Sequence, residues 1–216
     1  MTAAPLIETF PVGMLECNCS ILVDEETREA VVIDPGDDAE RVLRALEGAR
    51  AKAVALLHTH AHFDHIGATR AVSDATGAPI LLHPGDRPLY DALPDQAAFF
   101  GLTAGAPKAV DAPLADGETI RFGRFALRAI HTPGHTPGST CFELAGDSKD
   151  GILFSGDTLF RRSIGRTDLW GGDTDAILAS IRGKLFRLPG DTPVVCGHGP
   201  DTTIEEEKRL NPFAAL

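Results

Sequence analysis

The stretch that most constrains the fold is the run His60-Ala61-His62-Phe63-Asp64-His65, which holds three imidazoles and a carboxylate. The apolar residues 54–57 precede it, and residues 66–68 follow it. This context predicts a buried strand that ends, turns and starts a helix. Imidazole and carboxylate together suit zinc, iron or manganese. We therefore expect the turn to hold metal, rather than to be a surface turn that happens to be rich in histidine.

The spacing within this metal loop, residues 60–65, predicts two metal positions. His60 and His62 are two residues apart, so an extended turn points them to the same side. Asp64 and His65 follow where the chain is predicted to enter a helix, so they can face a second position. One short loop can thus serve two neighbouring metals, and Asp64 is also the candidate catalytic residue.

Three later side chains are candidates for the remaining ligands. A zinc ion takes about four ligands, so two ions need more than the loop supplies. His135, Asp157 and His198 each follow an apolar strand and are flanked by glycine. Glycine lets the backbone turn sharply and approach closely. Ligands at several strand ends predict a site along one rim of a pair of sheets.

Hydrophobic patterning predicts short strands with helices between them. The predicted strands are residues 6–12, 19–23, 30–33, 54–57, 80–82, 139–144, 152–154 and 194–196, with a hairpin over 121–130 that turns at Gly123. A first helix is predicted to begin after Asp37 or Asp38. Further helices are predicted over 67–76, 174–187 (with Asp173 as a cap) and 204–210. Residues 84–113, rich in proline, are predicted to be less regular and to form a lid or a binding wall. Two packed sheets covered by helices on both outer faces would use all these elements.

Composition excludes several classes of protein. The 216-residue chain carries a net charge of −11 and shows no basic stripe, so we expect no nucleic-acid partner. No apolar run approaches the about 18 residues of a membrane helix, and the N-terminus does not resemble a signal peptide. Four cysteines in a chain of this length form no disulfide framework, which favours a reducing cytoplasm. Monomer and homodimer both stay open.

The H-x-H-x-D-H pattern resembles the metallo-β-lactamase superfamily, and the three later ligands match its later motifs. The resemblance implies an α+β fold, a four-layer αβ/βα sandwich, and two divalent metal ions. Zinc is the expected metal, with iron or manganese as alternatives. The implied ligands are His60, His62 and His135 on one metal, Asp64, His65 and His198 on the other, and Asp157 bridging both. Asp34 matches the first motif of the superfamily and is expected to orient a ligand or a loop.

Longer stretches resemble the hydroxyacylglutathione hydrolases, or glyoxalase II proteins, and above all their short bacterial relatives. The matching stretches are Asn18-Cys19 and residues 131–138, 156–160, 163–168 and 211–213. The resemblance implies that a metal-bridging hydroxide cleaves a thioester, such as the acylglutathione S-lactoylglutathione. Full glyoxalase II enzymes carry a C-terminal helical segment that contacts glutathione. Only residues 200–216 follow His198, so we expect a single domain, 1–216, without that segment.

Arg166 is the candidate substrate-binding residue. It aligns with the lysine of the glyoxalase II family that contacts glutathione, whereas an aligned tyrosine is replaced by Asp168. The alternative is that Arg166 is a cation paired with Asp168 or Asp173. If Arg166 contacts the substrate, it should bind an anionic group of a small-molecule thioester.

Other functions stay open at this level. Mononuclear-iron glutathione persulfide dioxygenases share the metal loop and a similar Gly-Arg-Thr-Asp stretch. A non-catalytic metal-binding interaction domain is the alternative from another class. A β-lactamase is disfavoured by the stretches that resemble glyoxalase II, an RNase by the acidic charge, and a serine hydrolase by the missing Gly-x-Ser-x-Gly motif.

The remaining histidines and the cysteines are expected to be structural. His58 and His131 end strands near the site and should pack against it or support it. His83 precedes Pro84-Gly85 and is expected in a turn. The cysteines, Cys17 and Cys19 among them, are expected to be buried thiols.

Overall fold

The computed structural model describes residues 4–144 and 151–215, and the first half of the chain forms a six-stranded sheet. Its strands lie side by side in chain order: β1 (Leu6–Val12), β2 (Cys17–Val23), β3 (Glu29–Ile33), β4 (Lys52–Leu57), β5 (Ile80–Leu82) and β6 (Ala112–Pro113). Strands β1 to β3 pair antiparallel, and β3 to β6 pair parallel. The parallel pairs need crossover connections, which the helices of this half supply.

The described residues of the second half of the chain contribute eight strands. These are β7 (Thr119–Phe122), β8 (Phe125–His131), β9 (Thr140–Leu144), β10 (Ile152–Gly156), β11 (Leu159–Phe160), β12 (Ser163–Ile164), β13 (Pro193–Cys196) and β14 (Thr202–Thr203). Six of them form a sheet in the order β14–β13–β10–β9–β8–β7, in which only the β10–β13 pair is parallel. Strands β11 and β12 form a small hairpin.

Seven α-helices accompany the sheets in the described part of the chain. They are α1 (Ala39–Gly48), α2 (Phe63–Ile66), α3 (Thr69–Thr76), α4 (Arg87–Asp91), α5 (Leu93–Phe99), α6 (Thr174–Gly183) and α7 (Ile204–Leu210). Asp38 caps α1 and Asp173 caps α6 through their carboxylates, as predicted. Helix α6 is shorter than predicted, because it ends at Gly183 and a separate 3-10 turn, Leu185–Arg187, follows.

Both faces of the central strands are buried, which produces a four-layer sandwich. In β3, Val31 and Ile33 face the second sheet, whereas Ala30 and Val32 pack toward the helices of the first half. The core between the sheets also contains Phe122 and other apolar residues of the second sheet. A third cluster lies between the second sheet and the helices α6 and α7. The predicted α+β, αβ/βα architecture is confirmed.

The segment 84–113 is more regular than predicted. Pro84–Asp86 forms a 3-10 turn, and the helices α4 and α5 follow. Pro88 and Pro94 lie in the first turns of these two helices. Proline is tolerated there because the missing N–H has no intrahelical partner in any case. Pro88 and Pro94 therefore mark helix starts, whereas residues 101–111 lie outside helices and strands, as predicted.

The strand ends that carry the candidate ligands meet at one rim. Strands β8 and β10 are both antiparallel to β9, and β13 is parallel to β10, so all three end at the same edge of their sheet. The chain leaving β4 joins this edge, because Thr140 N–H donates to the carbonyl of Thr59 over 2.7 Å. The rim inferred from the sequence thus forms where the two sheets meet.

Candidate metal centre

The metal loop changes backbone conformation halfway along. His62 is the N-cap of α2 and is extended, with φ −71° and ψ 148°, whereas Asp64 and His65 lie inside the helix. The helix is anchored from behind, because Gly36 N–H donates to the His65 carbonyl over 3.0 Å. The extended part and the helical part can therefore present their side chains to different positions.

The first ligand set consists of His60, His62 and His135. Nε2 of His135 lies 2.9 Å from Nδ1 of His62 and 3.3 Å from Nε2 of His60. The ring nitrogens of the three residues cluster closely enough to hold one metal ion. All three come from strand ends or the metal loop, so the fold itself brings them together.

The second ligand set consists of Asp64, His65 and His198. Nε2 of His198 lies 3.1 Å from Oδ2 of Asp64 and 3.2 Å from Nε2 of His65. Oδ2 of Asp64 is 3.7 Å from Nε2 of His65. This set mixes two imidazoles with a carboxylate, a donor combination that suits divalent first-row metals.

Asp157 lies between the two sets. Its Oδ1 is 3.4 Å from Nε2 of His65, and its Oδ2 is 3.6 Å from Nε2 of His135. Oδ1 is buried and has no hydrogen-bond partner among the described residues. An unpaired buried carboxylate oxygen is costly, and a cation would satisfy it. This oxygen and the surrounding donors fit divalent metal binding.

Hydrogen bonds to main-chain carbonyls define which ring nitrogen of two histidines faces the cluster. Nδ1 of His135 lies 2.8 Å from the carbonyl of Arg166, and Nδ1 of His198 lies 2.9 Å from the carbonyl of Leu15. A carbonyl only accepts, so both Nδ1 atoms carry the proton. The two Nε2 atoms are then free to bind metal with their lone pairs.

Asp34 performs the same task for one histidine of each set. Nδ1 of His65 donates to Oδ2 of Asp34 over 2.9 Å. The Thr59 hydroxyl donates to the same oxygen over 2.6 Å and lies 3.0 Å from Nδ1 of His60, from which it accepts. Asp34 therefore orients ligands in both sets, which agrees with the supporting role that the sequence predicts.

In the first set, His60 and His62 resist protonation. Burial, followed by the neighbouring His65, holds the pKa of His60 well below its ordinary value. Burial and the neighbouring His135 lower the pKa of His62 to about 3. These rings are therefore neutral around pH 7 and offer their lone pairs to a metal.

The second set has the opposite tendency. Burial disfavours the charge of His198, but the hydrogen bond to Asp64 and the charge of Asp157 outweigh it and raise the pKa. Burial is likewise outweighed at His65, whose pKa is raised well above its ordinary value by the neighbouring Cys17, followed by Asp64 and Asp157. In turn, His65 lowers the pKa of both Asp64 and Asp157 against the effect of burial, so both acids are ionised around neutral pH.

Arg166 contacts the metal centre with its backbone carbonyl, whereas its guanidinium binds Asp168. Its carbonyl accepts from His135, while the exposed guanidinium forms hydrogen bonds of 2.7 and 2.9 Å to Asp168. This is one of the two alternative pairings expected from the sequence. The substrate-binding role of Arg166 stays a prediction.

The other three histidines lie outside the cluster. His58 is buried, with Nε2 2.7 Å from Oγ1 of Thr69 and Nδ1 3.1 Å from the carbonyl of Leu81. His83 and His131 stack on each other with their ring centroids 3.9 Å apart. All three make structural contacts of the kind expected from the sequence.

The four cysteines are buried free thiols, as expected. Cys17 lies nearest the cluster, with Sγ 3.4 Å from Nδ1 of His65. Burial raises the pKa of this thiol to about 12. Cys17 is thus a neutral thiol at physiological pH and does not add a charge to the site.

Two side chains that support the site were missed by sequence reasoning, namely Thr59 and Asp86. The Thr59 hydroxyl connects the carboxylate of Asp34 to Nδ1 of His60 by hydrogen bonds. Asp86 accepts a hydrogen bond from the metal loop, through Ala61 N–H over 2.9 Å. The sequence signal that could have identified Asp86 is that it lies, like Asp34, beside a Pro-Gly pair just after a strand.

Comparisons with known proteins agree with this geometry. The family model of the metallo-β-lactamase superfamily matches residues 12–198. The chain belongs to the metallo-β-lactamase superfamily. It is 39% identical over 214 residues to hydroxyacylglutathione hydrolase GloC of Haemophilus influenzae, covering 96% of this chain and 97% of that protein. It is 34% identical to the human mitochondrial persulfide dioxygenase ETHE1, covering 100% of this chain and 78% of that protein.

Solved structures are similar along nearly the whole chain. The crystal structure of BLEG-1 B3 metallo-β-lactamase is 41% identical, with a TM-score of 0.89, covering 98% of this chain and 100% of that chain. The structure of TTHA1623 in a di-iron-bound form is 39% identical, with a TM-score of 0.84 and the same coverage. Family, cluster and di-iron neighbour together support divalent metal binding and a metallo-hydrolase class. No helix in residues 4–144 or 151–215 has the length and apolar character to cross a membrane.

Proposed function

We propose that the protein is a metal-dependent hydrolase that cleaves a thioester, with an acylglutathione such as S-lactoylglutathione as substrate. The observation that carries the proposal is the position of Asp157, whose two oxygens face different ligand sets. A carboxylate placed in this way can bridge two metals, an arrangement suited to hydrolysis by an activated water. Similarity to GloC of Haemophilus influenzae supports the substrate class.

The two ligand sets and Asp157 would together hold two metal ions. The first set would hold one divalent ion and the second set the other, with Asp157 in contact with both. When bound, such ions lower the pKa of water and polarise a carbonyl oxygen. The protein orients the ligand nitrogens through its carbonyls and through Asp34. Zinc is the metal we propose, with iron or manganese as alternatives.

Asp64 is the side chain proposed to handle the proton. Its Oδ2 lies 3.1 Å from Nε2 of His198, and its lowered pKa keeps it a carboxylate around neutral pH. A carboxylate oxygen can hold the proton of the attacking water and then release it. Water adds to the thioester carbon, the carbon–sulfur bond breaks, and a carboxylate and a thiol leave. Because a thiolate leaves readily, no strong general acid is needed.

Arg166 is proposed to bind an anionic group on the substrate. Its guanidinium is exposed and bound to Asp168 beside the His135 end of the centre. A substrate carboxylate has the same bidentate geometry as Asp168 and can take its place. Arg166 would thus bind the thiol part of the substrate without taking part in bond cleavage.

A second candidate function is the oxygenation of glutathione persulfide. Its support is the similarity to human ETHE1, which extends over this whole chain. That activity needs one iron ion and molecular oxygen, whereas the ligands here are sufficient for two ions. The number of metals per chain and the consumption of oxygen therefore separate the two functions.

The test combines metal analysis with parallel assays on one purified protein. Metal content is measured by mass spectrometry, and turnover is measured on S-lactoylglutathione, on glutathione persulfide with an oxygen electrode, and on a chromogenic cephalosporin. The cephalosporin is included because of the similarity to BLEG-1. We expect two metals per chain and the highest kcat/KM on the thioester.

Three outcomes would overturn the proposal. One metal per chain with oxygen consumption would favour persulfide oxygenation. Faster turnover of the cephalosporin would favour β-lactam hydrolysis. No turnover of a broad thioester and ester panel by the fully metallated protein would favour a non-catalytic metal-binding domain.

A further inference from the structure

Asp86 is a fully buried carboxylate that joins two separate turns of the metal centre. Its Oδ2 accepts from Ala61 N–H over 2.9 Å and from the Thr136 hydroxyl over 2.8 Å. Its Oδ1 accepts from Gly138 N–H over 2.6 Å. Ala61 lies between His60 and His62, and Thr136 follows His135. One side chain therefore holds both turns that supply the first ligand set.

The packing around Asp86 leaves no room for a different arrangement. A Cβ added to Gly138 would lie 2.6 Å from the backbone nitrogen of Asp86 and 2.7 Å from its Cγ. A Cβ added to Gly85 would lie 2.9 Å from the carbonyl oxygen of Pro137. The turn that contains Asp86 and the turn that follows His135 can approach this closely only because glycine occupies both positions. The carboxylate is therefore held at a defined distance from the turn that follows His135.

Burying the carboxylate of Asp86 costs free energy unless its oxygens are well paired. Its three hydrogen-bond donors all come from the turns that carry His60, His62 and His135. These turns are distant from Asp86 in the chain, because Ala61 is 25 residues away and Thr136 is 50 residues away. A neutral side chain could fill the space, but it could not accept all three hydrogen bonds.

The opposite side of the metal loop is held by Gln96 of helix α5. Its amide donates to the carbonyl of Ala61 over 2.9 Å, and its Oε1 accepts from Phe63 N–H over 3.2 Å. The backbone of Ala61 is thus fixed by Asp86 through its N–H and by Gln96 through its carbonyl.

We propose that Asp86 is a positioning residue that sets the separation between the His60–His62 turn and His135, so that the first ligand set is formed before metal binds. Asp86 acts through the backbone and through Thr136, and it touches no candidate ligand atom. The inference rests on the metal centre and not on the proposed substrate. The result of the thioesterase assay therefore does not decide whether Asp86 has this role.

The direct test is Asp86→Asn, which keeps the size of the side chain. The amide NH2 cannot accept a hydrogen bond and would face a donor. We expect the affinity of the first set for Co²⁺ to fall about 10- to 100-fold, the usual effect of losing an outer partner of the ligands. The second set should keep near-native affinity. Chelator competition followed by the Co²⁺ absorption spectrum resolves the two binding steps without any activity assay.

Thr136 supplies a second pair of variants. Thr136→Val removes the hydroxyl that donates to Asp86, whereas Thr136→Ser retains it. We expect weakened first-set binding in the valine variant and recovery in the serine variant. Asp91→Asn is the matched control, since Asp91 lies on the neighbouring helix in an exposed ion pair with Arg87.

Two results would overturn the proposal. The first is native affinity of both sets in Asp86→Asn or in Thr136→Val. The second is an equal loss in both sets, which would indicate general destabilisation instead of positioning. If Asp86→Asn does not fold, as judged by thermal unfolding of the metal-free protein, the comparison of Thr136→Val with Thr136→Ser decides.

Discussion

The two ligand sets differ in charge and in exposure, although the same metal loop contributes to both. The first set consists of imidazoles, and the side chain of His135 is 2% exposed. The second set includes Asp64, and the side chain of His198 is 27% exposed. In the first set His60 and His62 have lowered pKa values because they are buried, whereas in the second set His65 and His198 have raised ones, to which the carboxylate of Asp64 contributes. Two neighbouring sites built from similar residues are thus expected to bind metal with different pH dependence.

The supports of the two sets differ as well. The three hydrogen bonds of Asp86 all go to the turns of the first set, and Gln96 holds the same loop. The second set depends on Asp34 for His65 and on the carbonyl of Leu15 for His198. Asp34 also reaches the first set through Thr59, so it links the two. Substitutions that remove a shared or a separate ligand can measure how independent the two sets are.

Asp157→Ala is expected to have the largest effect, because Asp157 faces both sets. Metal content should fall at both positions. The loss of kcat/KM should exceed the about 10- to 100-fold cost typical of an outer partner, since a ligand itself is removed. Metal analysis by mass spectrometry and steady-state kinetics measure the two effects. A variant that retained two metals would show that Asp157 does not bridge.

Removing one ligand from each set should separate them. His198→Ala is expected to empty mainly the second set, and His62→Ala mainly the first, because each ring contacts only its own set closely. Each variant should retain about one metal per chain. The Co²⁺ spectra of the two variants should differ, since one remaining site includes the carboxylate of Asp64 besides that of Asp157 and the other does not. Complete metal loss in either variant would mean that the sets are not independent.

Acid should release the metal of the second set first. A group with a raised pKa keeps its proton up to a higher pH, so a cation must displace that proton, and metal affinity falls as the pH drops through that range. His65 and His198 have raised pKa values, whereas the pKa of His62 is lowered to about 3. The first set should therefore retain its metal to lower pH. Metal content after dialysis over a pH series measures this, and simultaneous release would contradict it.

Arg166→Ala should have the smallest effect. We expect KM to rise by roughly tenfold with little change in kcat, since a hydrogen bond to a charged group contributes about 1.5 kcal/mol. Asp168→Asn is the matched control, because it frees the guanidinium from its present partner and should lower KM. A collapse of kcat with unchanged KM in Arg166→Ala would show that the assigned role is wrong.

Much of the fold could be predicted because its signals are local. The helices α1, α6 and α7 begin close to their predicted positions, since caps and apolar spacing are properties of adjacent residues. The helices α4 and α5 in the segment 84–113 were missed, because a proline breaks one helix but also starts another. Local patterns alone do not distinguish these two roles.

The sequence by itself determined which residue types stand at the strand ends, and hence the seven candidate ligands and the superfamily. Only the tertiary structure decided how they are held. The Asp34–His65 and Asp86–Thr136 hydrogen bonds span 31 and 50 residues, and the exposed pairing of Arg166 with Asp168 is a choice between two nearby acids. The physical reason is that a ligand motif depends on short spacing along one strand end, whereas a supporting hydrogen bond depends on which distant elements pack together.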